Sequence, residues 1–396
     1  MPVCNTEVFF KMDVYITDLA YFLPNSPVDN DQMEKILGMV NEVPSRTRKI
    51  ILRNNKINSR YYAIDPQTGR RTHTNAQLAA EAVRRLQPYQ NFSLADIECL
   101  CCGTSSPDQM MPGHASMVHA ELKAGPCEVV STAGICLSGI TALKYAAMNV
   151  ALGLSSNAVA CGSENSSSFM RKELCGSINP KLTQAVTKQP LLTFEADFLR
   201  WMLSDGAGCV FLKAKPERGR LSLRIDWIEI ISHAHQFETC MYAGAIRLAD
   251  GSLKSWREFN SLTEAVDQGA FLVKQDAKLL NQEIITTAIE RTLAKVVTKH
   301  NLTPESVDWY LPHYSSEYFR QELYDHMQAI NFEIPYAKWF TNLAYKGNTG
   351  AASIYIILEE LFKSDRLKAG DRLLCFIPES GRFSIGYMQL TVVSSE

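Results

Sequence analysis

One cysteine of this chain stands where a folded protein could use it as a nucleophile. Cys136 lies between a strand-like run, Cys127–Gly134, and an apolar helical run that begins at Leu137. A thiol at the N-terminus of a buried helix meets unpaired N–H groups and the positive end of the helix dipole. These favour the thiolate, so the position predicts a lowered pKa and attack on a thioester or carbonyl carbon. The competing interpretation is a small buried hydrophobe.

A histidine and an asparagine occupy two further positions of the same kind. His313 directly follows the apolar run Trp309–Pro312, and Asn348 lies in a glycine-flanked turn that enters a helical run. His313 comes 177 residues after Cys136, and Asn348 comes 35 residues after His313. Taken singly, each residue is only a weak indication of catalysis, because such a histidine is commonly structural and Asn beside Gly commonly forms a turn. Together with a nucleophilic thiol they predict a catalytic site.

Composition narrows the class of protein. The 396 residues are 46% hydrophobic and 21% charged, with a net charge of −2. These values predict a globular protein that binds neither nucleic acid nor an anionic membrane. The eleven cysteines are scattered and form neither a zinc-ligand pattern nor a disulfide framework, which favours a reducing cytoplasm. The start of the chain lacks signal-peptide features, and no apolar run is long enough to span a membrane.

The elements that must position these residues alternate between strand-like and helical runs. Short apolar runs such as Ile97–Cys102 and Asn157–Gly162 alternate with helical spacing, as in Leu137–Leu154 and Lys278–His300. This alternation predicts a parallel sheet with helices on its faces. The best boundary between halves is the turn-rich segment 215–219, and the polar stretch 166–196 is predicted to be an insertion or lid.

The order and local contexts of Cys136, His313 and Asn348 resemble the thiolase-fold condensing enzymes, above all the β-ketoacyl-ACP synthases of type III. Ser204–Gly208 (Ser-Asp-Gly-Ala-Gly) and the turn around Gly381 match further motifs of that family in the same order. The resemblance implies an α/β thiolase fold, in which two pseudo-duplicated βαβαβαββ halves form five αβαβα layers. Residues 1–215 would be the half with the cysteine, and residues 220–396 the half with the histidine and asparagine.

The resemblance also implies a role for each residue. Cys136 would accept an acyl group from a thioester, and the N–H groups of Cys136 and Gly381 would form the oxyanion hole. His313 and Asn348 would hold the incipient enolate oxygen of a second thioester, whose carbanion attacks the acyl-Cys136 carbonyl. The implied substrates are thioesters of acyl carrier protein phosphopantetheine or of CoA. No metal or redox cofactor is expected, and no dinucleotide or Walker loop occurs in the sequence.

The N-terminal third shows a more particular resemblance, carried by Pro27–Asn30, Pro44–Arg46 and Asn54–Pro66. These segments are similar to the ketosynthase/cyclases of the dialkylresorcinol and bacterial stilbene pathways. Such enzymes join two β-ketoacyl thioesters and close a cyclohexanedione ring. No dedicated base for ring closure is identifiable from the sequence, and Glu164 and Glu195 are the candidates.

Departures from the type III pattern bear on substrate recognition. Ile50 and Asn54 stand where acyl-CoA-primed relatives carry a tryptophan and an arginine, which favours carrier-protein-bound substrates. Met111 falls where relatives project a side chain into the partner subunit's acyl pocket, although core filling is the commoner role of methionine. The resemblance further implies a homodimer, and acyl carrier protein is expected to dock on a basic group of residues, Arg46, Arg48, Lys49 and Arg53.

Two other functions remain open from the sequence. The first is a β-ketoacyl-ACP synthase III that primes fatty-acid or polyketide synthesis with malonyl-ACP. The second, of a different class, is a thiolase-fold partner subunit without catalytic activity. Retention of Cys136, His313 and Asn348 together argues against the second.

Overall fold

The centre of the molecule is a mixed sheet of nine strands. The computed structural model of the chain describes residues 12–175 and 198–395. Most strands alternate in sequence with helices, as the spacing of apolar residues predicts. The predicted parallel sheet is wrong, because five of the eight neighbouring strand pairs are antiparallel. The strands are β1 Tyr15–Phe22, β2 Cys99–Thr104, β3 Glu128–Ala133, β4 Asn157–Glu164, β5 Gly206–Lys213, β6 Leu221–Ser232, β7 Trp309–Pro312, β8 Arg372–Glu379 and β9 Ser384–Ser394.

The order of the strands divides the sheet into two parts. From one edge to the other the order is β7-β8-β9-β6-β1-β5-β4-β2-β3. The first five strands of the chain are therefore neighbours, and so are the last four. The two groups join at β1 and β6, which share only the pairs Tyr15 with Arg224 and Ile16 with Leu223. Within the groups, β2 is parallel to β3 and to β4, and β7 is parallel to β8.

Helices cover both parts of the sheet. The helix that begins at Ala277 continues through a π-helical stretch, Thr287–Leu293, to the segment Ala294–His300. No helix within the described ranges is both long enough and apolar enough to cross a membrane. The helices of eight residues or more are α1 Arg48–Asn55, α2 Asn75–Arg84, α3 His114–Leu122, α4 Leu137–Ala151, α5 Ala277–Thr286, α6 Phe319–Ala329 and α7 Ser353–Phe362. Shorter helices are Met33–Leu37, Ser167–Met170, Lys172–Cys175, Leu262–Asp267, Leu343–Lys346 and Ala294–His300.

Three apolar cores separate five layers. One core lies between the sheet and the outer helices α2 and α3. A second holds α4 and α7 between the two parts of the sheet, with Ile140 of α4 and Tyr355 of α7 both fully buried. The third lies between the remaining face of the sheet and α5 and α6. This αβαβα arrangement confirms the predicted thiolase fold.

Local predictions from the sequence fail mainly at the ends of elements. The apolar spacing after Asn75 predicts a helix with that asparagine as its cap. The helix is present, but Thr74 caps it, with its side chain accepting from the N–H of Gln77. The predicted division at residues 215–219 falls in the connection between β5 and β6. Most of the predicted insertion 166–196 lies outside the described residues, because the description stops at residue 175 and resumes at residue 198.

Candidate active site

Cys136, His313 and Asn348 line one cavity of about 780 Å³, open solvent included. Each of them lies just beyond a strand or in a turn before a helix. Cys136 follows β3 and His313 follows β7, and Asn348 precedes α7 by a short turn. Ends of strands in an α/β sheet gather side chains from distant parts of the sequence into one crevice. The structure therefore brings together the three residues that the sequence singles out.

A close approach of backbones joins the cysteine helix to the asparagine turn. A Cβ on Gly139 of α4 would lie 2.2 Å from the carbonyl oxygen of Ala351, and a Cβ on Gly162 of β4 would lie 2.2 Å from the same oxygen. Only glycine leaves room for such contacts. The hydroxyl of Tyr355 in α7 also donates to the carbonyl of Gly139 at 2.8 Å. These contacts hold the turn around Asn348 against the start of α4.

The prediction of a lowered pKa for Cys136 is wrong in this structure. Cys136 does precede α4 directly, at the N-terminus of a buried helix. Burial nevertheless raises the pKa of its thiol, and the nearby carboxylates of Glu164 and Glu379 raise it further. Desolvation and like charge both disfavour the thiolate, and here they exceed the effect of the helix dipole. Cys136 is therefore a thiol rather than a thiolate at neutral pH.

His313 is a neutral hydrogen-bonding group at physiological pH. Its side chain is buried, and its backbone N–H donates to the carbonyl of Phe376 in β8 at 2.8 Å. Burial lowers the pKa of the imidazole to about 4, because the charged form loses its hydration. A neutral imidazole can donate one N–H to a substrate oxygen without carrying a buried charge.

The backbone and side chain of Asn348 are both fixed. Its N–H donates to the carbonyl of Met202 at 2.9 Å, and its carbonyl accepts from the N–H of Ser204 at 2.8 Å. The side-chain Oδ1 accepts from the N–H of Gly350 at 2.9 Å. This last bond uses the acceptor end of the amide, so the NH₂ end is directed elsewhere as a donor. The arrangement can present a second neutral donor to the cavity.

Gly381 is close to the nucleophile, but its N–H is already engaged. A Cβ on Gly381 would lie 3.0 Å from Cδ1 of Ile135, the residue before Cys136. The Gly381 N–H donates to Oε1 of Glu379 at 2.6 Å. For the predicted oxyanion hole to form with Gly381, the Glu379 carboxylate must release this bond. Sequence reasoning missed Glu379, because a glutamate that ends a strand has no signature of its own.

Glu164 ends β4 and lines the same cavity as Cys136. Its carboxylate accepts from the N–H of Ser105 at 2.9 Å, from the Ser105 hydroxyl at 2.5 Å and from the N–H of Ala351 at 3.3 Å. Burial raises the pKa of this carboxyl to about 7 in spite of those donors. Sequence reasoning placed Glu164 among the candidates but missed Ser105, whose position after β2 was the available signal.

The rest of the cavity wall is mostly apolar. Side chains from α5 and from the segments around residues 169 and 199–203 make up most of it. An apolar wall of this size suits an aliphatic or aromatic acyl chain. The apolar lining residues are Ile135, Phe169, Leu199, Met202, Leu203, Met241, Leu280, Ile284, Ile285, Phe319, Phe376 and Pro378.

Other predicted site residues lie away from this cavity. Met111 is 85% exposed and is absent from the cavity wall. Glu195 lies outside the described residues. Within the basic group, Arg46, Lys49 and Arg53 are exposed. Arg48 is half-buried, pairs with Asp31 and lies 5.3 Å from the centre of the Trp201 ring.

Metal ligation has no support in the geometry of the described part of the chain. No group of three or more His, Cys, Asp or Glu side chains there could hold a metal ion.

Comparison with known proteins agrees with this fold. The family profile described as 3-oxoacyl-(acyl-carrier-protein) synthase III C terminal matches residues 297–381, which include His313 and Asn348. The β-ketoacyl-(acyl-carrier-protein) synthase III of Chlorobaculum tepidum is 24% identical over 366 residues, covering 92% of this chain and 94% of that protein. The enzyme of the same name from Aquifex aeolicus is 25% identical over 364 residues, with the same coverage.

Solved structures show the same likeness in three dimensions. A tetronic acid condensing enzyme matches with a TM-score of 0.72 at 19% identity, over 96% of this chain and 99% of that one. OleA of Xanthomonas campestris, solved with bound lauric acid and lauroyl-CoA, matches with a TM-score of 0.71 at 19% identity and the same coverage. These likenesses show that the chain has the thiolase fold. In sequence the chain is similar to the β-ketoacyl-ACP synthases of type III, whose C-terminal family profile matches part of it.

Proposed function

We propose that this protein is a ketosynthase that forms an acyl thioester on Cys136 and joins that acyl group to a second thioester by a Claisen-type condensation. The observation that carries the proposal is the meeting of Cys136, His313 and Asn348 in one cavity. A buried thiol and two neutral donors suit acyl transfer followed by enolate stabilisation. A cavity with a mostly apolar wall suits the acyl chain itself.

In the first half-reaction the Cys136 sulfur attacks the carbonyl carbon of the incoming thioester. The thiol proton leaves as this bond forms, because burial and two nearby carboxylates disfavour a free thiolate beforehand. The tetrahedral adduct then collapses with loss of the carrier's carbon–sulfur bond, and the departing carrier sulfur takes up that proton and leaves as the thiol. We assign the N–H groups of Cys136 and Gly381 to the oxyanion that develops. The Gly381 group becomes available when Glu379 releases it, so loading includes a change in the turn Glu379–Arg382.

In the second half-reaction His313 and Asn348 hold the oxygen of the enolate of the second thioester. Both are neutral donors, so their hydrogen bonds to that oxygen are strongest when negative charge develops on it. The enolate carbon then attacks the acyl-Cys136 carbonyl, a carbon–carbon bond forms, and Cys136 leaves as the thiol.

For the particular reaction, we propose the joining of two β-ketoacyl chains and their closure to a dialkyl- or aryl-alkyl-cyclohexanedione. The similarity of Asn54–Pro66 to the dialkylresorcinol and stilbene ketosynthase/cyclases supports it. The apolar wall contributed by α5 gives space for a chain longer than acetyl. Priming with a short acyl group and malonyl-ACP is the second candidate, and the similarity to β-ketoacyl-ACP synthases of type III favours it.

We further propose that two copies of the chain form a homodimer through β3. This strand is one edge of the nine-stranded sheet, and exposed and half-buried residues are interspersed along it, so its outer backbone groups have no neighbouring strand among the described residues. An edge of this kind is completed by pairing with another strand. The exposed Met111 could then reach the partner's acyl pocket, as the sequence predicts. Acyl carrier protein is assigned to the basic group on and beside α1.

Purified protein tests the proposal in two stages. After incubation with an acyl thioester, intact-protein mass spectrometry should show one acyl adduct, absent from Cys136→Ala. His313→Ala should keep the adduct but give no condensation product. No adduct on the wild-type protein would favour a non-catalytic partner subunit. With β-ketoacyl thioesters a cyclic dione supports the cyclase, whereas an acetoacetyl-type thioester from malonyl-ACP alone supports the priming enzyme.

A further inference from the structure

Joining two β-ketoacyl thioesters needs a base that priming with malonyl-ACP does not need. Loss of CO₂ from a malonyl group creates the carbanion without removing a proton from carbon. A β-ketoacyl donor has no such carboxylate, so its C2–H proton must pass to a group of the protein. Among the described residues that line the cavity, four carry titratable side chains, namely Cys136, Glu164, His313 and Tyr314.

Three of the four are unsuited to accept that proton. Cys136 carries the first acyl chain when the second donor reacts. The pKa of His313 is lowered to about 4 by burial, which makes it a weak base and a neutral donor. The Tyr314 hydroxyl donates to Oε2 of Glu317 at 2.8 Å, and burial raises its pKa. Glu164 is the remaining group.

We propose that Glu164 is the catalytic base that removes the C2 proton of the second β-ketoacyl thioester. This inference rests on the proposed function, because it concerns the donor that the proposed condensation uses. Glu164 would act on the bound donor, while His313 and Asn348 hold the enolate oxygen that forms.

The position of the carboxylate supports this assignment. Glu164 is almost completely buried, yet it lines the cavity, so a substrate carbon can approach it where bulk water does not. The Ser105 N–H and hydroxyl and the Ala351 N–H fix its two oxygens. A Cβ on Gly350 would lie 2.8 Å from Cγ of Glu164, which places the carboxylate beside the turn of Asn348. Base and enolate donors therefore approach the same part of the cavity.

Protons and electrons balance in the proposed sequence. The C2–H bond breaks, its proton moves to a Glu164 oxygen, and its electron pair forms the enolate. The enolate carbon bonds to the acyl-Cys136 carbonyl carbon, and the tetrahedral adduct collapses with loss of the carbon–sulfur bond. The departing Cys136 sulfur takes up the proton that Glu164 carries, and both groups return to their starting states.

The surroundings of Glu164 set its acid–base behaviour. Burial raises its pKa to about 7, where a base retains strength and is still largely ionised above neutrality. Cys136 from the start of α4 and the buried carboxylate of Asp205 before β5 face it, and His313 lines the same cavity. His114 of α3 bonds to Ser163, the residue before Glu164, and its pKa is lowered to about 4 by burial. None of these groups supplies a positive charge at neutral pH.

The test separates loading from condensation. Cys136 is loaded with a saturated acyl group from its N-acetylcysteamine thioester, and loading is followed by intact-protein mass. A β-ketoacyl pantetheine thioester is then added, and product is followed in single turnover. Glu164→Gln keeps the size of the side chain and one acceptor oxygen for the N–H groups of Ser105 and Ala351, and its NH₂ can donate to the Ser105 hydroxyl, but it cannot accept the proton. It should load at least as fast as wild type, because the negative charge of Glu164 raises the pKa of the Cys136 thiol, and it should condense about 100- to 10,000-fold more slowly.

A second variant gives a signature that a merely structural role would not produce. Ser105→Ala removes a hydroxyl bond that lowers the pKa of Glu164. In wild type the condensation rate should fall as the pH drops through about 7, where Glu164 becomes protonated; this fall is the acidic limb of the pH profile. In Ser105→Ala the acidic limb should move to higher pH. The pH dependence of condensation in Glu164→Gln should lose this limb.

The possible results distinguish the two levels of the proposal. Equal condensation rates for wild type and Glu164→Gln would overturn the role of Glu164 while leaving the proposed function intact. Two other results would also overturn the role of Glu164 as a base, because each indicates a structural residue. One is an equal loss of loading and condensation in Glu164→Gln, and the other is an unchanged acidic limb of the pH profile in Ser105→Ala. A wild-type protein that loads but joins no β-ketoacyl donor would refute the proposed joining of two β-ketoacyl chains, and the inference with it.

Discussion

Neutral His313 makes the stability of this protein depend on pH in a predictable way. The folded protein binds a proton on His313 near pH 4, whereas an unfolded histidine binds it near pH 6.5. Between these values the unfolded chain holds more protons, so the free energy of unfolding falls as the pH drops from about 6.5 to about 4. A pKa difference of about 2.5 units, at about 1.4 kcal/mol per unit, lowers the free energy of unfolding by about 3 kcal/mol.

The perturbation is His313→Asn, which removes the titrating group and keeps a small polar side chain. Urea unfolding of both proteins is measured from pH 7.5 to pH 4. The wild type should lose about 3 kcal/mol more than the variant over this range. Glu164 and Asp205, whose pKa values burial raises to about 7 and about 6, act in the opposite direction in both proteins. Their stabilising effect is complete at low pH and is lost as the pH rises through those values, so the difference isolates His313.

His114 provides a matched control for this experiment. It is also buried, burial lowers its pKa to about 4, and it bonds to Ser163 away from the cavity wall. His114→Asn should reduce the acid sensitivity by a similar amount, but only His313→Asn should stop condensation. In wild type, ¹³C-labelled imidazole signals should show His313 neutral at pH 5.5. A protonated His313 at that pH, or equal acid sensitivity in wild type and His313→Asn, would refute the reasoning.

Three further predictions concern a close backbone contact, the reactivity of the Cys136 thiol and the basic group. Gly162→Ala should destabilise the protein by about 3 kcal/mol or more in thermal or urea unfolding, because the added Cβ would lie 2.2 Å from the Ala351 carbonyl oxygen. Glu379→Gln should speed alkylation of Cys136 by iodoacetamide between pH 7 and 9, because it removes a negative charge that raises the pKa of the thiol. The rate should rise by up to about tenfold for each unit by which that pKa falls. Charge reversal across the basic group should raise KM for a carrier-bound acyl substrate several-fold while leaving kcat/KM for a small thioester unchanged.

Each of these has its own control. Gly125→Ala matches Gly162→Ala, because the nearest atom to its added Cβ, the Ala95 carbonyl oxygen, lies at an ordinary 3.5 Å, and it should change stability by less than about 0.5 kcal/mol. Unchanged alkylation in Glu379→Gln would show that this carboxylate does not influence Cys136. An equal loss with carrier-bound and small substrates would remove the docking role of the basic group.

Much of the fold could be read from the sequence because it depends on local patterns. The apolar spacing of Leu137–Leu154 predicts a buried helix, and the structure has Leu137–Ala151, with Gly153 at a φ of +68° beyond its end. The apolar runs Asp371–Ile377 and Phe383–Val393, on either side of the turn Pro378–Gly381, predict a closing pair of strands, and the structure has this pair as β8 and β9. The long helix predicted for Lys278–His300 is present, and it includes a π-helical stretch, Thr287–Leu293, that apolar spacing cannot reveal.

The sequence by itself determined which residues could perform the chemistry. Cys136, His313 and Asn348 are marked by residue type and by their places beside strands and turns, which are local properties of the chain. Only the tertiary structure decided how these groups are tuned. The pKa of the Cys136 thiol is raised, against the expectation from its helix, because burial and two carboxylates from distant parts of the chain outweigh the dipole. Desolvation and charge act through space, and the sequence does not say which groups will share a cavity.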